Sequence, residues 1–272
     1  MKKLTYGLLL ALIAIVVLAG CGVLQEPEAA SGTIEAIPLE TQSAGVVIEA
    51  TGAVPTVMVD EATIAAEPSA EVDAATEVPA EAPTIAPTEA PAGEPVVFTI
   101  DSAASEVRFQ LDEDLRGTRT TVVGATDQVA GQLSMNLADL SQTQVGVIQI
   151  NARTLATDNN FRNRAIHNEI LDTGDYEFIT FTPTGVEGLP AAATVGQTIS
   201  FSLVGDLTIR DMTLPATFAV EATALSDTQI TGTATAIVNR ADFGLQIPSV
   251  PNVANVEEEV ELYIDFTANA SS

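Results

Sequence analysis

Residues 203–220 read LVGDLTIRDMTLPATFAV and carry the clearest structural signal of the 272-residue chain. Apolar and polar residues alternate from residue 199 onward, and the positions on the apolar side are Ile199, Phe201, Leu203, Gly205, Leu207 and Ile209. Successive side chains of a β-strand point to opposite faces, so this alternation predicts a long strand with one apolar face. After a connection at residues 210–213, the pattern resumes with Phe218, Val220 and Ala222. The stretch therefore predicts a hairpin of two amphipathic strands.

Similar alternation recurs over the rest of residues 96–272, with Gly, Asp, Asn and Pro between the runs. The predicted strands are residues 97–100, 106–112, 128–136, 145–151, 179–182, 198–210, 216–224, 229–238 and 259–268. One helix interrupts them, which we expect Asp158 to cap and Asn168 to end. Many strands with one short helix predict an all-β fold. Long amphipathic strands in sequential order favour an antiparallel, eight-stranded up-and-down β-barrel over a sandwich.

The first twenty residues have the composition of a targeting signal. Lys2 and Lys3 precede an apolar run at residues 8–18, and the run ends at residues 18–21 with LAGC. The run is too short to span a bilayer comfortably, which favours a secretory signal peptide over residues 1–20. Cys21 is the only cysteine, and LAGC resembles the lipobox of bacterial lipoproteins. That resemblance implies lipidation of Cys21 and a membrane-anchored protein on the extracytoplasmic side.

Residues 21–95 form a separate block of acidic, proline-rich sequence. Residues 22–95 contain fourteen acidic residues, no basic ones and nine of the fourteen prolines. Proline blocks helix and sheet interiors, and such a composition buries too little apolar surface to offset the entropy of ordering. We therefore predict a disordered tether over residues 21–95, with a reach of about 45–50 Å as a flexible coil.

The charge balance limits the choice of partner. The formal net charge is −27, and both lysines lie in the signal, so arginine is the only strong base of the remaining chain. No basic patch is available for a phosphate backbone, which excludes nucleic acid as the expected partner. Whether the domain forms a homodimer is left open by the sequence.

Four stretches in the folded part resemble the YceI-like family of lipocalin-like β-barrels that bind polyisoprenoid lipids. The first stretch, residues 162–181, contains RN at 162–163, IL at 170–171, Tyr176 and ITF at 179–181. The second contains GDLTIR at 205–210, followed by Thr213 and Pro215. The third is RADFGL at 240–245, and the fourth is EVEL at 259–262. The resemblance covers residues 96–268 and implies a barrel lumen that holds an isoprenoid quinone or a polyprenyl carrier. The histidines common in the family's first strand are absent here, and Asn163 replaces its usual aspartate. These departures leave the lipid head group open.

The phase of the strands and the resemblance together predict the residues that contact the lipid. The apolar contacts are Phe109, Phe161, Phe181, Phe201, Leu203, Phe218, Phe243 and Ile264. Arg162 and Arg240 are head-group candidates because guanidinium groups bind phosphate or carboxylate bidentately. The alternative is that they pin loops, Arg240 through Asp242 and Arg162 through a nearby acid.

No feature of the sequence indicates an enzyme. His167 is the only histidine, and we interpret it as a surface or helix-packing residue rather than a metal ligand. No catalytic residue, metal site or cofactor is predicted beyond the bound lipid, and the expected function is lipid binding without catalysis. Two alternatives are left open: a redox helper that presents a quinone for chemistry, and a structural or stress-related barrel whose lumen is filled by side chains.

Overall fold

The structure is a computed structural model that describes residues 25–39 and 93–271. The predicted signal peptide, the lipidation site Cys21 and most of the predicted tether lie outside the described residues. Among the helices of the described ranges, none has the length and apolar character needed to cross a membrane.

The described part is mostly β-sheet. Its strands are β1 Val96–Ile100, β2 Glu106–Leu115, β3 Thr118–Thr126, β4 Val129–Ala130, β5 Gln132–Met135, β6 Gln144–Val145, β7 Ile148–Asn151, β8 Phe178–Glu187, β9 Thr198–Ile209, β10 Met212–Ser226, β11 Gln229–Asn239, β12 Val253–Ala254 and β13 Glu259–Ala270. The α-helix α1 spans Asn160–Ala165 and continues as a π-helical turn over Ile166–Ile170. Short 3₁₀ segments occupy Ser102–Ala104, Leu140–Gln142 and Ala152–Thr154.

All thirteen strands belong to one curled antiparallel sheet, ordered β4-β7-β8-β9-β10-β11-β13-β1-β5-β6. The first half of β13 pairs with β2, which pairs with β3, and its second half pairs with β1. Val129 of β4 pairs with Ile150 of β7, while Gln132 of β5 pairs with Thr99 of β1. One continuous segment, β4–β5, therefore joins the two ends of the sheet and curls it back on itself. The predicted all-β antiparallel fold with one short helix is confirmed.

The structure has thirteen strands rather than the eight expected, and two of the differences have a clear cause. The predicted strand at residues 128–136 is divided at Gly131, where an added Cβ would lie 3.2 Å from Cδ1 of Ile100 and closer still to Ile148. The strand β3 was missed altogether. Its sequence TRTTVVGAT buries Val122 but exposes Val123, so apolar residues do not mark its inner face.

The hairpin formed by β9 and β10 has the predicted form. Ile209 pairs with Met212 and Thr198 with Thr223, so the two strands pair along the whole of β9. Inner positions are buried or nearly so, and outer positions are more exposed. Gly205 lies on the inner face because an added Cβ would be only 2.7 Å from Cζ of Phe181.

Residues 25–39 lie on the domain, although the sequence assigns them to the disordered tether. Ile34 is only 7 % exposed, and the backbone N–H of Leu39 donates to Oε1 of Gln132 at 3.1 Å. The backbone N–H of Ser31 donates to Oε1 of Glu177 at 2.8 Å. Composition does not reveal this contact, because it depends on one apolar side chain and on polar partners supplied by the domain.

Candidate ligand-binding site

A cavity of about 460 Å³ lies between α1, the inner faces of β2, β3, β11 and β13, and the loop that follows β11. Of its 28 lining residues, 23 are apolar. The polar ones are Glu113, Asn159, Arg162, Arg240 and Ser249. Its volume is within the range of roughly 300–1,000 Å³ of small-molecule sites, and its lining suits an apolar ligand.

The cavity opens to solvent at one rim. Phe161 and Val250 both line it, yet they are 68 % and 46 % exposed. Phe161 belongs to α1 and Val250 to the loop after β11, so the mouth lies between these two elements. Exposed apolar residues that continue into an apolar cavity are the expected route for an apolar ligand.

The helix that covers the cavity begins one residue later than predicted. Asn159, not Asp158, is the cap: its Oδ1 accepts from the backbone N–H groups of Phe161 at 2.9 Å and Arg162 at 3.3 Å. After Ala165 the backbone widens into the π-helical turn, which ends with a bond from Leu171 N–H to the carbonyl of Ile166 at 2.8 Å. Such turns are frequent at functional sites, and this one contributes Ile166 and Ile170 to the cavity wall.

The polar feature of the wall is a largely buried ion pair. Nη2 of Arg162 donates to Oε1 of Glu113 at 2.9 Å, and Nη1 donates to Oδ1 of Asp158 at 2.5 Å. The Glu113 side chain is 8 % exposed and that of Arg162 is 18 % exposed. Breaking a buried pair from one side leaves an uncompensated charge, so the pair also fixes α1 against β2.

Arg240 holds the loop that forms the other side of the mouth. Its guanidinium donates to the carbonyls of Glu257 at 2.9 Å and Leu245 at 3.1 Å, and to Oε1 of Glu258 at 2.7 Å. The carboxylate partner is Glu258, whereas the sequence suggested Asp242, which is exposed. The observed contacts therefore fit the loop-pinning alternative, and a head-group contact by Arg240 stays a prediction.

A family model described as the YceI-like domain matches residues 98–268. The chain belongs to the YceI-like family. No curated protein matches it. All four stretches that carry the sequence resemblance contribute to the cavity, through residues that include Arg162, Ile209, Phe243 and Leu262.

Solved structures with a similar fold come from several bacteria. A polyisoprenoid-binding domain from Saccharophagus degradans, implicated in plant cell wall breakdown, is 15 % identical, with a TM-score of 0.52 over 65 % of this chain and 99 % of that one. Burkholderia cenocepacia BcnA is 18 % identical, with a TM-score of 0.49 over 62 % and 99 % of the two chains. The Campylobacter jejuni YCEI protein is 15 % identical, with a TM-score of 0.46 over 55 % and 85 %. At these identities the likeness concerns the fold alone.

The predicted lipid contacts of this YceI-like domain fall into two groups. Three of them line the cavity: Phe109, Phe161 and Phe243. The other five are absent from its lining and lie in the core or against it: Phe181, Phe201, Leu203, Phe218 and Ile264. The rings of Phe181 and Phe218 pack edge to face with centroids 4.8 Å apart, which fills that part of the interior. Strand phase thus identifies the inner face but not which part of it is open.

The loop that supplies much of the cavity wall was not predicted from the sequence. Leu245, Ile247, Pro248, Pro251 and Val256 all line the cavity, but they belong to a segment without alternation. The available signal is composition: LQIPSVPNV is strongly apolar for a connection between strands. Apolar residues in a loop that is not buried by other elements indicate a ligand or partner surface.

His167 is a packing residue behind the cavity wall. It is 7 % exposed, and its Nε2–H donates to the carbonyl of Leu155, itself a lining residue, at 2.8 Å. A carbonyl only accepts, so Nε2 carries the proton, and the buried Nδ1 has no hydrogen-bond partner among the residues that the structure describes. Burial lowers the pKa of His167 below its ordinary value, and the Leu155 bond opposes this only in part. Within residues 25–39 and 93–271, no three His, Cys, Asp or Glu side chains are grouped to hold a metal ion.

Proposed function

We propose that this YceI-like protein is an extracytoplasmic lipoprotein, anchored through Cys21, that binds an isoprenoid lipid in the cavity beneath α1. The observation that carries the proposal is the cavity itself: about 460 Å³, 23 apolar residues among 28, and an open rim of exposed apolar side chains. Transfer of an isoprenoid chain from water into such a lining is favourable by roughly 25 cal/mol per Å² of apolar surface. Binding needs no catalytic group.

The ligand class is suggested by the family and by the Saccharophagus degradans domain, whose name states that it binds polyisoprenoid. The arrangement of charge favours a neutral head group, such as a quinone, over a phosphate. The two guanidinium groups in the lining already pair with carboxylates, Arg162 with Glu113 and Asp158, and Arg240 with Glu258. A phosphate would therefore meet no uncompensated positive charge in the lining and would face the Glu113 carboxylate.

The test is extraction of the purified protein with organic solvent, followed by mass spectrometry. We expect an isoprenoid quinone at a constant molar ratio to the protein, and no such lipid from a control protein purified from the same membranes. Recovery of a polyprenyl phosphate would keep the cavity assignment and overturn the head-group argument. A cavity that yields straight-chain lipids alone would contradict the ligand class.

A further inference from the structure

Residues 25–39, called the strap below, are clamped to the domain by Arg153. The guanidinium of Arg153 donates to the carbonyls of Thr173 at 2.7 Å and Gly174 at 2.8 Å within the domain. It also donates to the carbonyl of Ala29 at 3.2 Å and pairs with Glu28 at 3.0 Å, both in the strap. The side chain is only 12 % exposed. A single largely buried guanidinium thus bridges strap and domain.

A second clamp lies beside the first. Oε1 of Glu177 accepts from the backbone N–H of Ser31 at 2.8 Å and from Nδ2 of Asn151 at 2.9 Å, and Oε2 lies 3.2 Å from Arg153. Burial alone would raise the pKa of Glu177, but these bonds and the Arg153 charge hold it below its ordinary value. The carboxylate is thus ionised where it binds the strap.

The C-terminal end of the strap is bound to the domain at Leu39, so the acidic residues 40–92 do not lie between Cys21 and the point where the chain first contacts the domain. Leu39 is bound by the side chain of Gln132, and the carbonyl of Gly93 accepts from Nδ2 of Asn136 at 2.6 Å. The chain therefore leaves the described region and returns to it beside the same strand, β5. The 53 residues numbered 40–92 do not add to the separation between Cys21 and the domain.

The near end of the strap lies beside the helix that covers the cavity. The carbonyl of Gln25 accepts from Nδ2 of Asn168, in the π-helical turn, at 3.0 Å. Cys21 is four residues earlier, and four residues span at most about 14 Å. Arg164 lies in α1, and Arg116 lies in the turn between β2 and β3, where its backbone N–H donates to the carbonyl of Asn252 in the loop after β11 at 2.7 Å. Neither arginine has a carboxylate within 4.0 Å in the described ranges. The rim residues Phe161 and Val250 are exposed and apolar.

We propose that the strap holds the cavity mouth against the bilayer into which Cys21 is anchored, so that an isoprenoid chain passes between membrane and cavity across Phe161 and Val250. This inference rests on the lipidation of Cys21 in the proposed function. The partner surface is the lipid bilayer: the short distance to the anchor brings it near, the rim supplies apolar contact, and Arg116 and Arg164 supply cations for lipid phosphates. The predicted 45–50 Å reach of a free tether is then not available to the domain.

The absence of tryptophan from the chain provides a direct test. Phe161→Trp places one tryptophan at the rim, and Val195→Trp places one in the exposed connection between β8 and β9. Ile179 at the start of β8 and Ile209 at the end of β9 line the cavity, so that connection lies at the opposite end of the sheet. The full lipidated chain is reconstituted into vesicles that contain phospholipids with brominated acyl chains. We expect a loss of tryptophan fluorescence for Phe161→Trp and none for Val195→Trp.

Strap variants separate a strapped domain from a freely tethered one. Ile34→Asp, placed in the Phe161→Trp background, puts a charge at a buried strap position and should restore the fluorescence, whereas the exposed Thr33→Asp should not. Replacement of residues 40–92 by a short Gly-Ser linker should leave the quenching in place. Equal quenching of the two probes, or quenching unaffected by Ile34→Asp, would overturn the strap proposal. Failure of the chain to sediment with the vesicles would instead refute the lipid anchor, so the two proposals fail separately.

Discussion

At the scale of single residues, side chains on the same apolar side of the alternating pattern can have different roles in the structure. Phe109 and Phe218 both lie on the inner faces of their strands, but only Phe109 borders open space. Its ring lies over Gly124 on the neighbouring strand, where any Cβ would collide with it. Phe218 is 3 % exposed and packs against Phe181. The sequence predicts that both rings point inward, but the empty volume beside one of them depends on packing across several strands.

This difference predicts opposite effects of two truncations. Phe218→Ala should lower the free energy of unfolding by about 3–5 kcal/mol, because it opens a cavity in packed core, and should leave lipid content per folded molecule unchanged. Phe109→Ala should cost less stability, since its ring already borders a void, and should reduce lipid content. Urea unfolding of delipidated protein and mass spectrometry of extracted lipid measure the two effects. Loss of lipid in Phe218→Ala at unchanged stability would contradict the division of the interior.

His167 provides a prediction for pH. Its folded-state pKa is lowered by burial below the ordinary 6.5, so the unfolded chain takes up the proton first as pH falls. Stability should therefore decrease as pH is lowered through about 6.5, down to the folded-state pKa. The variant His167→Gln can still donate to the Leu155 carbonyl and should lack this component. The measurement is the difference in urea midpoint between the two proteins from about pH 7.5 to 5.5. If the urea midpoints of the two proteins change in parallel with pH, His167 does not change its protonation on unfolding.

At the scale of secondary-structure elements, the sequence predicts the strands in which buried and exposed residues alternate. The hairpin of β9 and β10 has one buried face, the buried residues of β13 (Ile264 and Ala268) lie on its predicted apolar face, and all three strands were found where expected. β3 escaped prediction because Val122 is the one large apolar residue on its inner face, which otherwise carries threonines and a glycine. The shift from α- to π-helix after Ala165 has no local sequence signal. The strap likewise depends on partners distant in sequence, above all Arg153 and Glu177.

At the scale of the whole molecule, the interior is divided into a filled part and an open part. Phe181, Phe218 and their neighbours pack one part, while residues of β2, β11 and β13 line the cavity beneath α1. The sequence leaves open whether the lumen is filled by side chains or open, and the structure has a filled part and an open part within the same domain. The sequence identifies three cavity phenylalanines and both lining arginines. It does not identify the apolar loop after β11, because that loop has no strand-like alternation and becomes part of the cavity wall only when the domain folds.

Filling the cavity beneath α1 is the most direct test of whether an isoprenoid chain binds there. Ala165 lines the cavity, so Ala165→Phe places a ring in the space proposed for the lipid; Ala219→Phe makes the same change on the exposed face of β10. The measurement is equilibrium binding of an isoprenoid quinone to delipidated, folded protein by calorimetry. We expect binding to the original chain and to Ala219→Phe, and none to Ala165→Phe. Undiminished binding by a folded Ala165→Phe variant would contradict the account.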